Sequence, residues 1–162
     1  MDHFQLFALM HTGRPPRRWD EATPGDWASV LAHFPLFSDI RKRRLRRLVQ
    51  TATFAEFAPG EGIIFAGDPG DQLYIILAGN ARTTSNGGSR VLRMGDYLGD
   101  IAVMDARPAG TTVRAMSHVH VMKLPSRSVL KLARRQPAIA LTILEHLTAR
   151  LRRLEAGGAP AA

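Results

Sequence analysis

FAPGEGIIFAGDPGDQLYIILAGNA, Phe57 to Ala81, is the stretch that decides the fold. Two runs rich in isoleucine and leucine, GIIFAG and QLYIILAG, are separated by GDPGD at Gly67 to Asp71. Glycine, proline and aspartate there mark a turn, with Asp68 and Asp71 as turn formers. The same pattern continues downstream in NARTT, RVLRMG, TTVRAMS and HVHVMKL, all short and β-like. Ten of the 14 glycines lie between Gly60 and Gly110 and punctuate these runs. SNGGS, Ser85 to Ser89, has Asn-Gly at its centre, the strongest short-range hairpin signal. Many short strands at this spacing predict a sandwich, barrel or jelly roll.

Helical patterns flank the strands. TPGDWASVLAHFPLF opens with a Thr-Pro-Gly-Asp start signal and carries Trp27, Val30, Leu31 and Phe34 at helical spacing. Ser38 and Asp39 are candidate caps for the basic segment that follows, in which Ile40, Leu45, Leu48 and Val49 form a narrow apolar stripe. PSRSVLKLARR predicts a short helix beginning at Pro125 and Ser126, and Pro137 opens a longer one ending at Gly157 and Gly158. Residues 1–24 are expected to be an extension with one short amphipathic helix, 25–156 the domain, and 157–162 a flexible tail. On the last helix Leu144, Leu147, Leu151 and Leu154 follow a 3-4-3 spacing. That face either packs on its own domain or forms a homodimer seam. The terminal position of the helix, with Ile139 and Ile143 on a second face, favours the dimer.

Composition bounds the function. The 162 residues suit one domain with a real core, and the absence of cysteine excludes disulfides and thiolate chemistry. LYIILAG, Leu73 to Gly79, is the longest apolar run and is too short to span a bilayer. MDHFQLFALMHTG lacks the basic start of a signal peptide, so a cytoplasmic protein is expected. The formal net charge is +8; six of the seven residues in RKRRLRR, Arg41 to Arg47, are basic, and RPPRR, Arg14 to Arg18, adds three arginines. Such blocks are either solvated faces or docking sites for an acidic protein partner, nucleic acid or an anionic membrane surface. No aromatic residue interleaves with the arginines and no helix-turn-helix pattern follows, so sequence-specific DNA binding is not expected.

Helices, about eight short strands with a helical insertion before the last pair, then two helices: this order resembles a cyclic nucleotide-binding domain. The family includes the catabolite activator protein and the regulatory subunit of cyclic-AMP-dependent protein kinase. The resemblance covers roughly Trp27 to Glu155 and rests on LAHFPLFSDI, on the Phe57–Ala81 stretch with Gly60, Gly67, Gly70 and Gly79, and on LGDIAVMDARPAGTTVRA. It implies a mainly β fold, an eight-stranded jelly roll with N-terminal helices, a short phosphate-cassette helix and two C-terminal helices. In the family the cassette resembles F-G-E-L-A-L, then P-R-A-A-T-V. Its glycine permits a tight turn, and the helix amides face a cyclic phosphate. Its glutamate accepts from the ribose 2′-hydroxyl, and its arginine pairs with the phosphate. Matched without gaps, Gly99 takes the glycine position and Asp100 that of the glutamate. Ile101 and Ala102 take the helix positions, and Pro108 the proline. Ala109 stands where the arginine belongs, and Gly110, Thr111, Thr112 and Val113 continue into the strand. Arg107, two residues away on an extended segment, is either a substitute that swings over the site Ala109 vacates or an exposed loop arginine.

His118 and His120 share a strand face at a metal-binding spacing, but no carboxylate or cysteine is near in sequence, so they are read as surface or core histidines. No metal, cofactor or enzyme signature is found. The resemblance thus implies a stand-alone regulatory module that binds cyclic AMP, ahead of cyclic GMP, weakly because of Ala109. Leu144 or Leu147 of the last helix would cover the base. The alternative is an interaction or dimerisation module that kept the fold and lost the ligand. A transcription regulator would need a DNA-binding domain after the last helix, where this chain ends at Ala162.

Overall fold

The structure is a computed structural model describing residues 22–85 and 88–157. The expected N-terminal helix lies outside those residues, as do Asn86 and Gly87 of the expected hairpin turn and all but the first residue of the expected tail. In chain order, α1 (Pro24–Leu31) and α2 (Lys42–Val49) precede β1 (Thr53–Phe57), β2 (Gly62–Ile64), β3 (Gln72–Ala78), β4 (Ala81–Ser85), β5 (Gly88–Leu92) and β6 (Tyr97–Leu98). Then come α3 (Asp100–Asp105), β7 (Thr112–Ala115), β8 (Val119–Pro125), α4 (Ser126–Arg135) and α5 (Pro137–Gly157). The strands form two antiparallel four-stranded sheets, ordered β1-β8-β3-β6 and β2-β7-β4-β5. This is the mainly β jelly roll with flanking helices that the sequence predicts. β1 and the two-residue β6 are strands that the apolar runs did not single out.

The run QLYIILA lacks alternation because β3 is covered on both faces. Leu73, Ile75 and Leu77 join Met122 and Leu124 of β8 under the helices, packed with Trp27, Leu31, Leu45, Val129, Ile139 and Ile143. Ile76 points the other way, between the sheets, with Val119, Val121, Ile64, Leu92 and Val113. Each such fully buried Leu or Ile contributes about 1.5–3 kcal/mol. Two cores therefore sandwich one sheet.

The start signal of α1 forms a capping box: Thr23 Oγ1 accepts from the Asp26 amide at 3.3 Å, and Asp26 accepts from the Thr23 amide at 2.9 Å. Ser38 and Asp39, expected to cap α2, do not. The N-cap is Arg41 with no side-chain cap bond, and the Ser38 hydroxyl donates to the Pro35 carbonyl at 3.2 Å. The intervening turn at Phe37–Ile40 sets α2 two residues later than the sequence signal, because Phe37 and Ile40 must both reach the core.

Candidate functional site

β6 is held by β3, with Tyr74 opposite Leu98 and Ile75 opposite Tyr97, and the chain leaves it through Gly99. Gly99 has φ +87°, and a Cβ there would stand 2.6 Å from the Gln72 carbonyl oxygen, so both conformation and space demand glycine. It caps α3, anchored by buried Ala102 and Val103 while Ile101 stays exposed. Asp100 opens the helix and is only 6% exposed, the one buried charged residue among those described.

The opposite wall is the return segment. Gly70 lies so close to the Arg107 carbonyl and the Ala102 methyl that no side chain fits between them. Ala109 is pinned by its amide to the Asp68 carbonyl and by its carbonyl to the Gly67 amide, each at 2.8 Å. Its own amide is therefore occupied, and its half-buried methyl packs beside the inter-sheet core.

Between these walls lies a cavity of about 750 Å³. The structure brings to it Gly99, Asp100, Ile101, Ala102, Arg107, Ala109, Gly110 and Thr111. It leaves out Thr112: the pleat turns that side chain away, and its hydroxyl accepts from the Ala66 amide at 3.1 Å. Arg107 stands at the cavity with an exposed side chain, and its amide donates to Asp105 Oδ1 at 3.0 Å.

Three contributions were not anticipated. Arg90 on β5 pairs with Thr83, which in turn faces Val113, and it lies two residues from the buried Leu92. Its guanidinium thus occupies the inward face of a strand where a hydrophobe is the norm. Tyr97 is 7% exposed and lines the cavity, and its hydroxyl has no hydrogen-bond partner among the described residues. Burial first, then the charge of Asp100, pushes that phenol's pKa well up. From α5 come Arg150, Arg153 and Leu154, and His146 Nε2 lies 3.0 Å from Arg90 Nη1 with its ring edge-on to Tyr97. Burial, partly countered by Asp100, lowers the pKa of His146, so its neutral form is favoured.

The last helix therefore covers the cavity with His146, Arg150 and Arg153, spaced i, i+4 and i+7. Leu144 and Leu147, the expected covering residues, are elsewhere: Leu144 is 59% exposed and Leu147 packs on the helical core. Ile139 and Ile143 in the core fix the rotation, and Leu147, at i+8, follows them inward. Four arginines against Asp100 and Asp105 give the cavity an excess of positive charge. It is suited to an anion that also carries hydroxyl groups.

His118 and His120 do meet a carboxylate, supplied by β1 rather than by their own segment. Glu56 reaches both at 3.5 Å. No cluster able to hold a metal ion is found among the described residues, nor is any helix long and apolar enough to cross a membrane.

The family model described as the cyclic nucleotide-binding domain matches residues 54–136. The cAMP-dependent protein kinase regulatory subunit of Emericella nidulans is 32% identical over 101 residues, covering 60% of this chain and 24% of that protein. This chain thus spans about a quarter of the curated relatives it matches. The solved cAMP-bound PfPKA-R chain shares the fold, with a TM-score of 0.75 at 21% identity over 84% of this chain and 48% of that one. The regulatory subunit of a cAMP-independent protein kinase A from Trypanosoma brucei is 26% identical, with a TM-score of 0.56 over 75% of this chain and 48% of that one. A triple variant of that subunit, one of whose substitutions introduces an arginine, is bound to cAMP in its A site.

Proposed function

The chain belongs to the cyclic nucleotide-binding domain family, and from that premise we propose that it is a cytoplasmic regulatory module taking cyclic AMP, ahead of cyclic GMP, in the cavity under α5. Asp100 carries this reading. It is the one buried charged residue among those described, and it lines the cavity. No described residue donates a hydrogen bond to it, so its carboxylate is free to accept from a ligand hydroxyl. A ribose 2′-hydroxyl is such a donor. The cyclic phosphate would lie against Ile101, Ala102 and Thr111, with Arg107 as the nearest substitute for the arginine that Ala109 replaces. Affinity is correspondingly modest. Arg90 offers the paired donors that guanine accepts at O6 and N7, so cyclic GMP is the competing ligand.

The output runs through the helices. α4 packs against α3 and α5, so filling the cavity biases the position of both. Leu141, Leu144 and Leu151 stand exposed on α5, and we assign that face to a homodimer seam.

The test is calorimetric titration with both cyclic nucleotides. Saturable micromolar binding that is lost in Asp100→Asn supports the reading. Silence at millimolar concentration favours the second reading, an interaction module that kept the fold without the ligand. Ala109 at the arginine position favours that second reading, as does the likeness to a kinase subunit described as cAMP-independent.

A further inference from the structure

A second recess, of about 410 Å³, lies between α2 and α4. Its two walls are cationic: Arg43, Arg44 and Arg47 from α2 face Lys131 and Arg135 from α4. The spacings are those of single helix faces, i and i+4 on each wall. Among the described residues no carboxylate pairs with any of the five. Arg43 with Arg47, and Lys131 with Arg135, are like-charge i, i+4 pairs that destabilise their own helices. The fold tolerates this repulsion on both sides of one trough, whereas a solvated face needs neither the convergence nor the matching walls.

We propose that this trough is the docking site for an acidic segment of a partner protein. Three features choose that occupant. The charge is complementary to carboxylates, and the arginines suit their bidentate recognition. Leu132, half-buried at the base beside Leu48, offers an apolar floor that an apolar side chain of a peptide can meet. The recess is concave between two helices and holds no aromatic side chain. It therefore neither enters a duplex groove nor stacks single-stranded bases, and it presents no protruding surface to a membrane. The proposal does not depend on the cavity under α5 binding a nucleotide.

The experiment uses the full chain and a fluorescein-labelled synthetic peptide of glutamates around one leucine, followed by fluorescence anisotropy at rising salt. We expect saturable binding that weakens steeply with salt. It should fall by about tenfold or more in the triple variant Arg43→Glu, Arg47→Glu, Lys131→Glu, as expected for lost charge-assisted contacts. The neutral set Arg43→Gln, Arg47→Gln, Lys131→Gln should fall in the same direction and serves if charge reversal prevents folding. The control Arg82→Glu, Arg93→Glu, Arg152→Glu makes the same change in net charge on exposed surface elsewhere and should retain binding. Equal loss in the control, no binding of the peptide, or preferential binding of duplex DNA or anionic vesicles by the same residues would each overturn the proposal.

Discussion

Replacing Ala109 with arginine restores the one charge that the cassette lacks. The backbone at this position is held on both sides by 2.8 Å hydrogen bonds to the Gly67–Asp68 turn, so the new side chain starts from a fixed point at the cavity wall. A hydrogen bond to a charged group contributes about 1.5–3 kcal/mol, which is roughly 10- to 150-fold in affinity. Against it stands repulsion from the cavity's other arginines, each no more than about 1 kcal/mol at contact distance in water and less with salt. The net expectation is a gain of about tenfold for cyclic AMP by calorimetry, with a slightly lower melting temperature for the empty protein. Adenosine, which has no phosphate, should gain nothing, and Ala109→Gln should gain little. Arg107→Ala asks whether Arg107 already fills the role. If it does, that change lowers affinity in the original background and Ala109→Arg adds less. A well-folded Ala109→Arg protein whose affinity for cyclic AMP is unchanged would refute the phosphate assignment of this wall.

Further outcomes follow from other elements. Leu144→Glu with Leu151→Glu should convert a dimer to a folded monomer in light scattering, because both side chains are exposed and neither supports the core; an unmodified chain that is monomeric at high concentration contradicts the seam. Thr23→Ala removes the hydroxyl half of the α1 capping box and should cost about 1 kcal/mol in chemical denaturation. His146 has its pKa lowered by burial, so the unfolded chain binds the extra proton first. Its contribution to stability is complete above the ordinary value of 6.5 and declines as pH falls below it, a slope that His146→Gln should flatten in melts between neutral and acidic pH. Neutralising Arg43, Arg44 and Arg47 should leave cyclic-nucleotide affinity unchanged, since these side chains line the other recess.

The legible parts of the fold are those set by local chemistry. Thr23 to Asp26 announces α1 because a capping box is a four-residue event, and the apolar runs of β2, β3 and β8 announce strands because their neighbours bury them. Gly99 to Ala102 are located by their resemblance to the family's cassette, and the positive φ of Gly99 at the start of a short helix is the local geometry behind that motif. What could not be read depends on pairing and rotation. Arg90 looks like any strand arginine until its register with Thr83 and Val113 shows that it faces inward. His146, Arg150 and Arg153 look like a solvated stripe until Ile139 and Ile143 set the helix phase. Thr112 is separated from Thr111 only by the pleat. Lys131 and Arg135 acquire meaning only when α4 is laid beside α2, some eighty residues earlier in the chain.

The most direct test of the central claim is an amide chemical-shift titration of the full chain with cyclic AMP. The account predicts saturable shifts centred on Arg90, Tyr97 to Ala102, Arg107, Ala109 to Thr111 and the α5 stretch from His146 to Leu154, with α2 silent at its exposed arginines. Unchanged spectra at millimolar ligand, or shifts clustered at the trough between α2 and α4 instead, would contradict it.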